Sequence, residues 1–216
     1  VPIPQDLVDG MQPSFSARDL TMLAHAFCKS RHRSQIFSLI SRAAEPVMPN
    51  FTAKELQSLL VSMARAHHSD AALLDGISLQ AQRCIAQFSA EALALTLRGM
   101  AFFGRRDDPL FTRALLELPR VLESARPADV AALCSSFAAA QVESRFLFDL
   151  VSPLVLEKAP ALSATEWVLL LRSYATLEHR DEMFLSALEL HLKVEQLSSC
   201  QQKEVNDMLS QLQRKV

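Results

Sequence analysis

One pattern returns along this chain and limits what it can fold into more than any other feature. Segments opening at Phe15 (FSARDLTMLAHAF), Phe51 (FTAKELQSLLVSM), Phe88 (FSAEALALTLRGM), Ala125 (ARPADVAALCSSF) and Leu162 (LSATEWVLLLRSY) follow one another at intervals of 36, 37, 37 and 37 residues. A weaker sixth opens 35 residues further on, at Leu197 (LSSCQQKEV). Periodicity of this size belongs to stacked units that bury their apolar faces against neighbours, not to one closed globule.

Two further columns keep the same register. The thirteenth position carries Phe27, Met63, Met100, Phe137 and Tyr174, all large; the twentieth carries Ser34, Asp70, Asp107, Ser144 and Asp181. Short side-chain oxygens of the second kind satisfy free N–H groups at a helix start, so a second helix is expected to begin there in each unit. The first helix is capped by Ser16, Thr52, Ser89, Ser163 and Ser198, with Glu55 and Glu166 completing capping boxes. In the fourth unit Pro127 stands at the first helical position, where a missing N–H is harmless.

Within the first helices the apolar positions, such as Phe51, Leu56, Leu59, Leu60 and Met63, recur at helical spacing, and Ala64, Ala101, Ala138 and Ala175 offer small surfaces for close approach. The second helices carry Ile36, Phe37, Leu39 and Ile40, then Leu73, Leu74 and Ile77, then Leu110, Phe111 and Leu115, then Phe146, Leu147 and Val151, then Met183, Phe184 and Leu188. Pro119 and Pro153 fall inside two of them, and an interior proline costs roughly 3 kcal/mol, so those helices are expected to bend or split. No stretch alternates with period two, so strands have no support. The expected fold is all-α: an α-solenoid of about five stacked helix-turn-helix repeats with a period of 36 to 37 residues and a C-terminal capping helix. Its parts are a lead-in over 1–14, repeats over 15–50, 51–87, 88–124, 125–161 and 162–196, and the cap over 197–216.

Half the residues are apolar and four are glycine, a balance that favours helix and excludes a disordered chain. Cys28, Cys84, Cys134 and Cys200 lie far apart with no CxxC spacing, as expected of buried free thiols. No apolar run approaches the roughly 20 residues that cross a bilayer, so no membrane insertion is expected. The chain begins at Val1 rather than Met, which permits removal of an upstream targeting peptide and equally a sequence that is one piece of a longer one, and the residues do not choose between them.

No Gly-rich phosphate loop, GxSxG or HExxH occurs, and the adjacent His67 and His68 would point about 100° apart on a helix end, as solvated turn residues. The chain is therefore expected to be no enzyme, with no cofactor, no metal and no small-molecule substrate. Basic residues are more telling. They concentrate on the first helix of each unit and the turn after it: Arg18, His25, Lys29, Arg31, His32 and Arg33, then Lys54, Arg65, His67 and His68, then Arg98, Arg105 and Arg106, with Arg172 and Arg180 later. The balance of Lys and Arg against Asp and Glu over the first twenty residues of each unit is +3, 0, +1, −1 and −1, while Asp75, Glu117, Asp149 and Glu189 belong to the second helices. A stack then carries positive charge along one rim, the electrostatic footprint of a phosphate backbone. Against it stands a net charge of −2, which leaves ordinary solubilising side chains as the alternative. Phe102 and Phe103 could stack on bases but are expected to be buried, and Val168, Leu169 and Leu177 look exposed.

The pattern F-[ST]-x-x-[DE]-[LW], with a large residue seven places on and then Ala, at this period, resembles the octotricopeptide and heptatricopeptide repeats of organellar proteins, related to the FAST-kinase-like, RAP-associated helical repeats. The resemblance covers Phe15 to about Gln196. It implies RNA binding without catalysis in the mitochondrial matrix, or alternatively a plastid, in the form of a mitochondrial-ribosome subunit that binds or stabilises ribosomal RNA beside neighbouring proteins of a ribonucleoprotein. The RNA contacts would be Arg18, Lys29, Arg31, Arg33, Lys54, Arg65, His67, His68, Arg98, Arg105, Arg106, Arg172 and Arg180. The alternative is a protein–protein interaction scaffold within an organellar complex.

Overall fold

The computed structural model describes residues 15–106, 109–142 and 144–214, in which eleven α-helices and no strand occur. They are α1 (Ala17–Phe27), α2 (Arg33–Ala44), α3 (Ala53–Ala66), α4 (Ala71–Arg83), α5 (Ala90–Phe102), α6 (Pro109–Leu122), α7 (Pro127–Ala140), α8 (Arg145–Lys158), α9 (Ala164–Thr176), α10 (Glu182–His191) and α11 (Ser199–Arg214). Each odd-numbered helix packs on the odd-numbered helix before it, from α1 through to α11, and α4, α6, α8 and α10 form a second layer in the same way. The result is a solenoid-like pair of layers with the core between them. The lead-in expected over 1–14 lies outside the described residues.

Capping chemistry fixes where the odd helices start. Thr52 Oγ1 accepts from Glu55 N at 3.4 Å while Glu55 Oε2 accepts from Thr52 N at 2.9 Å, and Ser163 and Glu166 repeat the arrangement. Ser16 forms the same box with Asp19. At the start of α7 Pro127 follows Arg126, whose backbone N–H is accepted by Asp129. Even helices start on Asp70, Ser144 and Asp181, each accepting from backbone N–H groups; Asp107 lies outside the described residues. Ser34 departs from its column. Tight turns already run from Phe27 O to Ser30 N and from Ser30 O to Arg33 N, so α2 begins two residues early and Ser34 sits inside its first turn, its carbonyl accepting from Ser38 Oγ at 3.0 Å.

A shared exit closes four odd helices. His67, Gly104, Gln141 and Glu178 all take the left-handed conformation, at φ between 52 and 75°, and the next residue's N–H reaches back to Met63, Met100, Phe137 or Tyr174. This six-to-one closure satisfies carbonyls the helix leaves free. Only one of the four residues is glycine, although a side chain in this region costs roughly 1–2 kcal/mol.

The buried column is Met63, Met100, Phe137 and Tyr174, while Phe27, at the start of the stack, stays 39% exposed. Between α5 and α7 the residues are small: Ser136 Oγ lies 2.8 Å from Ala94 O across the helices and 2.7 Å from Ala132 O on its own. Gly99 is buried, and a Cβ there would stand 2.6 Å from both Cγ and Cδ2 of the fully buried Leu60. Neither Pro119 nor Pro153 splits its helix; both face solvent, and buried Leu118, Val121, Val151 and Val155 hold the axis on either side of the missing hydrogen bond. Leu39, Phe146 and Met183, expected in the even helices' buried set, are 58, 44 and 66% exposed. Cys28, Cys84 and Cys134 are buried free thiols, with Cys134 pushed up to about 12 by loss of water, and Cys200 is exposed. No helix among the described residues is long and apolar enough to cross a membrane.

Two histidines sit against the core rather than in solvent. The His68 ring lies 5.5 Å from Phe37 with Nε2 at 3.3 Å from Ser41 Oγ, and His179 stacks on Phe148 at 4.0 Å. Loss of water lowers both pKa values below the usual 6.5, against the pull of Asp70 on His68 and of Asp181 and Asp149 on His179.

Two glycine exchanges should move stability in opposite directions. Gln141→Gly removes left-handed strain and should stabilise by about 0.5–1 kcal/mol after the entropy of a freer unfolded chain is subtracted. Gly99→Ala should destabilise by about 1 kcal/mol despite its better helix propensity, because Leu60 cannot move. Chemical denaturation of both variants checks this. The unfolded chain binds protons at His68 and His179 more readily than the fold does, so stability is complete above pH 6.5 and falls as pH drops below it. Tm should therefore decrease between pH 7 and pH 5.5, and a His68→Gln, His179→Gln double variant should flatten that decrease.

Candidate nucleic-acid interface

Helical spacing sorts the basic residues before any contact is considered. Positions separated by four, three and four residues share one helix face, and on α1, α3 and α5 these are Arg18, Met22 and His25, with Lys29 in the turn just beyond α1; Lys54, Ser58, Val61 and Arg65; and Glu91, Leu95, Arg98 and Phe102. Their side chains are exposed or half-buried, so this is the outward face of the odd-numbered layer. Its one acid, Glu91, is met by Arg126 at 3.1 Å. The equivalent face of α7 is neutral and small, with Ala128, Ala132, Ser135 and Ala139.

Across α3, α5 and α7 this face opens into a groove of about 690 Å³. Gln57, Val61, Leu95, Gly99, Ala101, Ser135 and Ala139 line it together with Arg65, Arg98, His67 and Phe102. Phe102 is 57% exposed, which corrects the expectation that it is buried; Phe103 turns back onto the core and meets it edge-on at 5.1 Å. The left-handed turn at His67 carries its ring to 6.2 Å from that of Phe102.

The expected contact residues divide by what already engages them. Arg18, Lys29, Arg31, Lys54, Arg65 and Arg98 are exposed and have no hydrogen-bond or ion-pair partner among the described residues. Arg33 Nε donates to Ala66 O at 3.1 Å, fastening the first turn to the end of α3. Arg105 pairs with Asp75 of α4, so the even-layer acids do not stand apart from the basic turns. Arg106 donates to Gln141 Oε1 at 2.6 Å, Arg172 pairs with Glu204 of α11 at 2.6 Å, and Arg180 pairs with Glu182 at 2.6 Å. His68 faces inward. Val168 and Leu177, expected to be exposed, are buried between α7, α9 and α11, with Leu169 half-buried. Spacing could have located the groove's lining, since Val61, Leu95, Arg98 and Phe102 fall on the same helix face as the predicted cations; the partners on the next unit, 30 or more residues away, leave no such signal.

The arrangement offers cations that attract phosphate and an aromatic surface at the same groove. Among the described residues no three His, Cys, Asp or Glu side chains gather as metal ligands would. A comparison with protein-family models finds no match for this chain, and a comparison with curated proteins finds none either.

Proposed function

We propose that this chain is a non-enzymatic RNA-binding scaffold of the mitochondrion, acting as a subunit of the mitochondrial ribosome that holds ribosomal RNA. The proposal includes the finer form of the fold: a solenoid of five repeats over 15–50, 51–87, 88–124, 125–161 and 162–196, closed by a capping helix over 197–216. One observation carries the RNA reading: Arg65 and Arg98, without partners among the described residues, stand on neighbouring helices at one groove, continued along the same face by Lys54 and Arg18 and by Lys29 in the turn after α1. Cations not engaged inside the fold are the ones able to neutralise phosphates. The organelle and the ribosome come from the repeat resemblance alone.

A second reading, a protein-interaction scaffold, has its own observation. Leu79, Leu116 and Leu190 stand 37 and then 74 residues apart on α4, α6 and α10, with Pro153 at the position between the last two, and are exposed by 52, 68 and 78%. Apolar residues in such a row suit docking of a neighbouring subunit. Both readings fit a component of a ribonucleoprotein.

Anisotropy titrations of a labelled single-stranded RNA at a series of salt concentrations test the first reading. Affinity should fall steeply with salt, and Arg65→Gln with Arg98→Gln should reduce the log–log slope by about 0.7 for each phosphate no longer neutralised. Arg105→Gln with Arg172→Gln should change it little, since those charges are already paired with Asp75 and Glu204. Absence of salt-dependent RNA binding would reject the reading in favour of the protein scaffold.

A further inference from the structure

Resting on the RNA reading, we infer that the groove across α3, α5 and α7 takes a single-stranded segment and holds one unpaired base between the rings of His67 and Phe102. The geometry begins with the two rings. Their centroids are 6.2 Å apart and their planes tilted by 48°, and both side chains are exposed. A base between two rings needs two stacking gaps of about 3.4 Å each, so a rotation of two surface side chains opens the slot without moving a helix. The backbone beneath them is fixed: His67 donates its N–H to Ala64 O and the next N–H, of His68, reaches Met63 O, while Phe102 is the last residue of α5.

The surroundings match a nucleotide rather than an apolar peptide. Arg65 and Arg98 border the slot without partners among the described residues, so each can meet a phosphate flanking the held base. Val61, Leu95 and Ala101 give the groove apolar walls suited to a sugar or base face, and Gln57 and Ser135 add hydrogen-bonding groups. A volume of about 690 Å³ lies within the 300–1,000 Å³ common for small-molecule sites. A base inside a duplex presents only its edge and could not enter between two rings. Stacking is tolerant of base identity, so the slot selects strandedness more than sequence.

The test uses the full chain with a fluorescein-labelled decauridylate and an RNA duplex of the same length. The single strand should bind at least about tenfold more tightly than the duplex. Phe102→Ala should weaken single-strand binding by roughly 5- to 150-fold, the range for removing one stacked base, with the salt slope unchanged. Phe102→Trp should retain the affinity, and circular dichroism should register no loss of helix in either variant, since the side chain is 57% exposed. If Phe102→Ala binds like the parent while Arg65→Gln with Arg98→Gln binds weakly, the base slot is wrong and the RNA reading stands. Equal binding of duplex and single strand also overturns the slot. Failure of the parent chain to bind either RNA overturns both.

Discussion

The burial of each odd-numbered helix against the odd-numbered helix on either side is the constraint on which the other features depend. Leu56, Leu59, Leu60 and Met63 of α3 are all fully buried, and so are Leu93, Leu97 and Met100 of α5 and Leu133, Cys134 and Phe137 of α7. At about 1.5–3 kcal/mol for each large side chain removed from water, no single hairpin gains enough from its own two helices to offset the entropy of ordering them. Stability therefore arises between units, and the ends of the stack look different from its middle. Phe15 and Phe27 remain 39% exposed at the first unit, while α11 covers α9 with Val205, Met208 and Leu212 and leaves a polar outer surface.

Stacking in this way also determines what is left for binding. With two sides of each odd helix against its neighbours and a third toward the even layer, the one remaining face is the column that carries Arg18, Lys54, Arg65 and Arg98. The close approach of α5 to α7 through Ala94 and Ser136, and of α5 to α3 where Gly99 meets Leu60, leaves the low ground beside Phe102. Local helix endings then aim the side chains: the left-handed residue at position 67 is what brings an imidazole over the groove. Charge elsewhere serves the stack. Arg33, Arg105, Arg106 and Arg172 each reach a group on the neighbouring unit or the C-terminal helix, and such exposed links are worth at most about 1 kcal/mol apiece.

Much of the scaffold was legible because helix starts are written locally. A Thr or Ser followed three residues later by Glu names its own hydrogen bonds, and Thr52 with Glu55 and Ser163 with Glu166 make them. Helix exits were not legible, because His67, Gln141 and Glu178 occupy a conformation that sequence assigns to glycine; the hydrogen bonds to the preceding turn outweigh the strain. Ser34 misled because a good capping residue also fits inside a first turn. The candidate site was half legible. Spacing identifies the face that bears the cations, but which arginines are engaged depends on Asp75, Gln141 and Glu204, each 30 or more residues distant. Phe102 and Phe103 could not be told apart by composition, since the helix ends between them and sends one ring outward.

Amide hydrogen exchange in the presence and absence of a saturating single-stranded RNA decamer bears most directly on the claim that the stacked odd helices present an RNA-binding face. The account predicts slowed exchange over 64–68 and 98–103, where the groove residues sit on helix ends, with the even helices over 71–83 and 109–122 unchanged. Protection confined to the even helices, or no protection at any position, would contradict it.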